Sequence, residues 1–214
     1  MNFKSFLGEV VQTILISLAI FFFIYTFLVQ PHRVRGESMV PNFTDGELLL
    51  TEKVTYRLYH PQRGDVVVFK APVPNNVDYI KRIIGLPGDE IKIQDGKIYI
   101  NGKILVEPYL ASNVDIKTEN FMQEGVPIVV GDHDYFVMGD NRGSSSDSRM
   151  FGPISKDSIR GRVWLVYFPL IKTGRSVGAR IISRIHYGIP DTPYNLRGSF
   201  YFPANGNLHS TFYS

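Results

Sequence analysis

Ile91-Lys92-Ile93-Gln94-Asp95-Gly96-Lys97-Ile98-Tyr99-Ile100 is the stretch that decides the fold. Apolar and polar residues alternate on both sides of Asp95-Gly96, so each arm is a strand with one buried face. Two residues of this type joining two such arms form a tight hairpin turn with positive φ. Asn101-Gly102 offers a second turn of the same kind directly afterwards. Working outward, Leu48-Leu49-Leu50, Asp65 to Lys70, Tyr79 to Ile84, Tyr135 to Met138 and Arg162 to Phe168 are further apolar runs of strand length, several bounded by glycine, proline or aspartate. Helix signals are scarce between residues 30 and 170, and the expected fold is mainly β and antiparallel. Residues 103 to 130 are irregular, and a short insertion is expected over about 90–135.

The exception lies at the N-terminus. Val10 to Val29 is almost wholly apolar and uncharged. About twenty helical residues rise about 30 Å, the thickness of a bilayer core. The competing reading is a cleaved secretory signal. The run is longer than such a segment needs, and Gln30-Pro31-His32-Arg33 offers no small-x-small cleavage site. The expected organisation is an anchor over 1–30, with a span at about 10–29 closed by Pro31. A β-rich domain follows over 31–171, and a basic, aromatic extension occupies 172–214. In that extension Val177, Ile181 and Ile185 recur every four residues beside arginines. This reads either as a short amphipathic helix on anionic lipid or as a helix packed on its own domain. Charges flanking the span slightly favour a cytoplasmic domain, but long domains translocate largely regardless of them.

The chain has 214 residues, enough for one medium domain plus an anchor. A net charge of +3 and the lack of a basic-aromatic stripe argue against a nucleic-acid partner. There is no cysteine, which excludes disulfides, thiolate metal sites and a cysteine nucleophile. Asp132-His133-Asp134 is a poor metal site because adjacent side chains point in different directions. Neither a metal nor a cofactor is expected.

Ser38 lies in Gly36-Glu37-Ser38-Met39-Val40-Pro41, nine residues beyond Val29. A serine needs a base within hydrogen-bond reach to act as a nucleophile. None of the five histidines lies in a recognisable triad setting, and the run lacks the second glycine of a G-x-S-x-G elbow. A lysine replaces histidine if burial makes its amine neutral. Lys81 follows Tyr79-Ile80 and precedes Arg82-Ile83-Ile84, so strand alternation turns Lys81 one way and leaves Arg82 wet on the other. Taken alone, a strand lysine is more often a solvated surface charge. Gly139-Asp140-Asn141-Arg142-Gly143-Ser144-Ser145-Ser146-Asp147-Ser148-Arg149 reads by itself as a polar loop. Its serines are able to orient an amine, and Asp147 and Arg149 are able to pair.

Together these stretches, in this order behind an apolar span, resemble the bacterial type I signal peptidases, membrane-bound serine–lysine endopeptidases. Arg63-Gly64-Asp65-Val66-Val67-Val68-Phe69 and Gly85-Leu86-Pro87-Gly88-Asp89 extend the likeness, which covers the anchor and roughly residues 30 to 170. The resemblance implies Ser38 as nucleophile and Lys81 as general base. It implies Ser145 as the residue orienting the lysine amine, and Asp147 with Arg149 as a supporting ion pair. It also implies cleavage after Ala-x-Ala-like sites in the signal peptides of secretory precursors, a lipid bilayer as surroundings, and a single-pass protein of the cytoplasmic membrane whose catalytic domain is extracytoplasmic. The small residues of such a site would suit shallow apolar pockets near Met39 and Ile83. One departure is Gly36, where some members carry a serine or threonine that completes the oxyanion hole. The rival readings are a processing peptidase dedicated to one substrate and a non-catalytic, membrane-tethered peptide-binding β module.

Overall fold

The computed structural model describes residues 3–74, 77–110, 114, 116–168, 171–172, 175–176 and 180–182. Helix α1 runs over Phe3–Phe27. Within it Phe6–Phe27 is long and apolar enough to cross a membrane, and its large side chains are exposed. The helix ends earlier than its apolar composition suggests. Val29–Arg33 is a strand, β1, with Pro31 opposite Leu50. Proline is tolerated there because β1 lies at the end of its sheet, where a missing N–H costs no ladder bond. The expected span at 10–29 thus moves to 6–27, and a single residue, Leu28, separates helix from sheet.

The remaining elements follow in order. They are β2 (Leu48–Glu52), α2 (Thr55–Leu58), β3 (Val66–Lys70), β4 (Asp78–Gly85), β5 (Glu90–Gln94), β6 (Lys97–Ile100), β7 (Lys103–Ile104), β8 (Ile128–Val129), β9 (Asp134–Met138), α3 (Ser148–Phe151), β10 (Ile154–Ser155), β11 (Ile159–Phe168), β12 (Ile171–Lys172), β13 (Arg175–Ser176) and β14 (Arg180–Ile181). The main sheet has the order β1-β2-β11-β3-β4-β9-β10, with β14 added to β11. Its pairings are antiparallel. A second sheet, β7-β6-β5-β8, is built from the expected insertion.

The local chemistry accounts for these elements. Asp95 and Gly96 have φ of 51° and 67°, and Asn101 and Gly102 have 52° and 78°, so both predicted turns form with positive φ. Ile91, Ile93, Ile98 and Ile100 point to one face and are buried with Ile84, Phe136 and Met138 of the main sheet. This cluster fastens the second sheet to β4 and β9. Val66 to Phe69 are buried on both faces, as expected of an uninterrupted apolar strand in a central position. Each such side chain contributes about 1.5–3 kcal/mol of burial free energy.

The helix expected around Val177, Ile181 and Ile185 is not present at Ile181. Arg180–Ile181 is a strand whose partners are Val166 and Leu165. Backbone pairing with the open side of β11 overrides a four-residue side-chain period there. Val177 and Ile185 lie outside the described residues. The sheet continues through β14, beyond the expected domain boundary at 171.

Candidate active site

Ser38 sits in a turn fixed on both flanks. Gly36, at φ +85°, donates its N–H to Asp45 Oδ1 at 2.8 Å. Met39 and Phe43 plug into the core beside Val34, Leu49, Val66 and Val68. The Ser38 carbonyl accepts the Asn141 N–H at 3.0 Å, and Asn141 Nδ2 donates to the Glu37 carbonyl at 3.2 Å. The turn is therefore stapled to the loop that follows β9. The Ser38 N–H makes no hydrogen bond among the described residues.

Lys81 comes from β4, opposite Val67 of β3. Its side chain runs inward and only 4% of the residue is exposed. Nζ lies 2.7 Å from Ser38 Oγ and 5.3 Å from the centroid of the Tyr79 ring. As an ammonium Nζ donates to Oγ, and as a neutral amine it accepts from the hydroxyl. Burial lowers the Lys81 pKa to about 8 from the ordinary 10.5. Asp147 and Asp140 oppose that shift and Arg149 reinforces it.

The loop after β9 holds the other expected residues. Asp147 pairs with Arg149, with Nε 2.8 Å from Oδ1 and Nη2 2.9 Å from Oδ2, and both residues are fully buried. Asp147 also accepts the N–H groups of Gly139 at 3.1 Å and Arg149 at 3.2 Å. Arg149 continues to the carbonyls of Arg142 at 2.8 Å and Lys117 at 3.1 Å. The pair is a brace for the loop. Ser145 is buried beside Gly139, where an added Cβ would overlap both Ser145 Oγ and the Ser38 carbonyl. Its hydroxyl makes no hydrogen bond among the described residues, so the bond expected from it to the Lys81 amine is not formed in this structure.

One expectation is corrected. Arg82 is not wet: it is 3% exposed, and its guanidinium makes a two-pronged pair with Asp140 at 2.8 and 2.6 Å. Strand alternation does turn it away from Lys81, but both sides of β4 are covered by protein. Met39 and Ile83 themselves are core side chains. The cleft that opens beside Ser38 and Lys81 has a volume of about 350 Å³, and its apolar wall comes from Val34, Leu49, Val68, Tyr79 and Ile80.

Asp140 has a wider role that sequence reading missed. Besides Arg82 it accepts Asn42 Nδ2 at 2.9 Å, so one carboxylate joins the strand carrying Lys81 to the turn carrying Ser38. Arg142 extends the network to Glu107 at 2.6 Å and to the Tyr109 hydroxyl at 3.1 Å, and the Arg82 guanidinium lies 4.0 Å from the Tyr109 ring centroid. The insertion thereby reaches the site. The available signal was the quoted Asp140-Asn141-Arg142 run, but no spacing rule gives its partners.

The signal peptidase, peptidase S26 family matches residues 7–168, and the chain belongs to that family. Among its relatives, signal peptidase I of Bacillus licheniformis is 41% identical over 176 residues, covering 78% of this chain and 92% of that protein. Signal peptidase IB of Staphylococcus aureus strain Mu50 is 37% identical over 177 residues, with the same two coverages of 78% and 92%. A crystal structure of a signal peptidase I from Enterococcus faecalis V583 shares 40% identity, covers 49% of this chain and 97% of that one, and has a TM-score of 0.41.

Proposed function

We propose that the protein is a type I signal peptidase that hydrolyses the bond after small-x-small sites in secretory precursors, with Ser38 as nucleophile and Lys81 as general base. The observation that carries this reading is the 2.7 Å approach of a buried lysine amine to the hydroxyl of Ser38. A lysine with a pKa of about 8 has about a tenth of its amine neutral at pH 7, against far less for an ordinary lysine, and that neutral form accepts the serine proton.

Ser38 Oγ attacks the scissile carbonyl carbon as its proton passes to Lys81 Nζ. The carbonyl oxygen becomes an oxyanion, and the unpartnered Ser38 N–H is a suitable donor to it. As the tetrahedral centre collapses, the C–N bond breaks and Lys81 returns the proton to the leaving amine. Water, deprotonated by Lys81, then attacks the acyl ester; as the ester C–O bond breaks, Lys81 returns that proton to Ser38 Oγ, which frees the serine and the new carboxylate. Ser145 orients the amine of Lys81 by rotating its unpaired hydroxyl toward it. Asp147 and Arg149 hold the loop that carries Ser145.

Substrate selection follows from an open sheet edge. β9 pairs with β4 only from Arg82 onward, which leaves Asp78 to Ile80 without a neighbour on that side among the described residues. An extended substrate is able to add there as a strand. Its alternate side chains then share a face, so the first and third residues before the cut meet the same wall while the second points away. Val34, Leu49, Val68 and Ile80 make that wall apolar, which suits small uncharged residues such as alanine. The single residue between α1 and β1 keeps the cleft near the end of the span, on the extracytoplasmic side in this reading.

The test is mass spectrometry of a secretory precursor carrying an Ala-x-Ala site, incubated in detergent with wild type, Ser38→Ala and Lys81→Met. The expected result is one cut after the second alanine, slowed by about 10³-fold or more in both variants. A folded variant that still cuts at the wild-type rate removes its residue from the mechanism. A folded wild type that cuts none of a panel of such precursors overturns the general-peptidase reading.

A further inference from the structure

A second cavity, of about 310 Å³, lies away from Ser38 and is lined by Lys53, Arg57, Lys156 and Arg160, with Tyr56 and the acid Asp157. Four basic residues thus line it beside one acid. Arg57 makes no ion pair among the described residues, and Arg160 has only an exposed 3.5 Å contact with Asp78. Lys156 Nζ lies 3.5 Å from His60 Nδ1, which neutralises no charge. Positive charge so weakly compensated repels itself unless an anion enters.

The position of the cavity identifies that anion. Lys53 donates its backbone N–H to the Leu28 carbonyl at 3.0 Å and its Nζ to the Thr26 carbonyl at 3.4 Å. Both acceptors stand at the C-terminal end of the apolar span. One wall of the cavity therefore lies where the span leaves the bilayer. Helix α2 starts two residues later and projects Leu58 and Tyr59, which are 71% and 66% exposed. An aliphatic and an aromatic side chain beside a basic hollow form the pattern of a surface dipping into the headgroup layer.

We infer that this cavity binds the phosphate of an anionic lipid headgroup, with Arg57, Lys156 and Arg160 around the phosphate, Lys53 tying the site to the span, and Leu58 and Tyr59 in the acyl boundary. This contact gives the catalytic domain a second attachment to the membrane besides α1, and so fixes its rotation about the end of the helix. It is independent of the peptidase chemistry.

The experiment is native mass spectrometry of the full chain released from neutral detergent, titrated with phosphatidylglycerol, phosphatidylcholine or inorganic phosphate. The variants are Arg57→Gln with Lys156→Gln, and a control pair, Lys97→Gln with Lys117→Gln, whose exposed lysines lie on β6 and between β7 and β8 of the second sheet. Wild type and control should retain one phosphatidylglycerol in preference to phosphatidylcholine. The cavity pair should bind it at least about tenfold more weakly, since each basic group near an anionic surface is worth about 1 kcal/mol. Cleavage of a detergent-soluble precursor reports that both variants are folded. Equal phosphatidylglycerol retention by the cavity pair and the control overturns the site. Retention of inorganic phosphate with no preference between the two lipids overturns the lipid assignment.

Discussion

Lys81 is a basic side chain placed where its charged form is poorly solvated, and that has a consequence with a definite sign. Below its folded pKa of about 8 the amine is protonated and unable to accept from Ser38. Cleavage at low substrate concentration should therefore rise nearly tenfold per pH unit up to that point and level off above it. A rate that falls as pH rises from 6 to about 8 would argue against lysine as the base. Stability moves in the same direction. The folded pKa lies below the ordinary 10.5, so the unfolded chain binds more protons between about 8 and about 10.5, and folding stability gains with pH across that window. In Lys81→Met this contribution vanishes. Denaturant titrations should find the variant's advantage over wild type greatest at neutral pH and shrinking toward pH 10.

At the scale of elements, the site depends on β4 and the Ser38 turn keeping a fixed separation. Asp140 spans them by binding Arg82 and Asn42. The Arg82–Asp140 pair is almost wholly shielded, with side chains 4% and 0% exposed. Removing one charge from such a pair strands the other in a poorly solvated place, a loss of about 3–5 kcal/mol. Asp140→Asn should lower the denaturation midpoint accordingly. Replacing the pair by apolar groups, as in Arg82→Met with Asp140→Leu, should cost less than the single change. A double variant as unstable as the sum of the two singles would show that the residues act separately. The hairpin β5–β6 was legible residue by residue, because Asp95-Gly96 and the flanking isoleucines carry both turn and register locally. The strand β1 was not, because Val29 to Arg33 follows an apolar helix directly, carries a proline and no apolar alternation, and takes β structure only through pairing with β2.

At the scale of the whole molecule, α1 meets the sheet directly, with only Leu28 between the apolar helix and β1. A chain beginning at Val29 keeps β1 and its pairing with β2. It should cleave a short soluble peptide at a rate close to that of the full chain in detergent. It should be much slower, by about tenfold or more, on a precursor embedded in vesicles, where anchoring confines enzyme and substrate to one surface. Equal rates on the embedded precursor would show that the anchor does not contribute to substrate capture.

Sequence alone determined whatever depends on near neighbours along the chain. The apolar run gives a span because its length matches a bilayer. The alternating isoleucines give a hairpin because side chains in a strand repeat every two residues. Ser38 and Lys81 were marked by their local settings and by the family those settings resemble. Tertiary structure decided what depends on contacts across the chain. The approach of Lys81 to Ser38 exists only because β4 pairs with β3 and the Ser38 turn is plugged into the core by Met39 and Phe43. Arg82 was expected in water and is buried, since the exposure of a strand face depends on what packs over it. The strand at Arg180–Ile181 follows the same rule: its conformation is set by the free edge of β11 rather than by its own pattern.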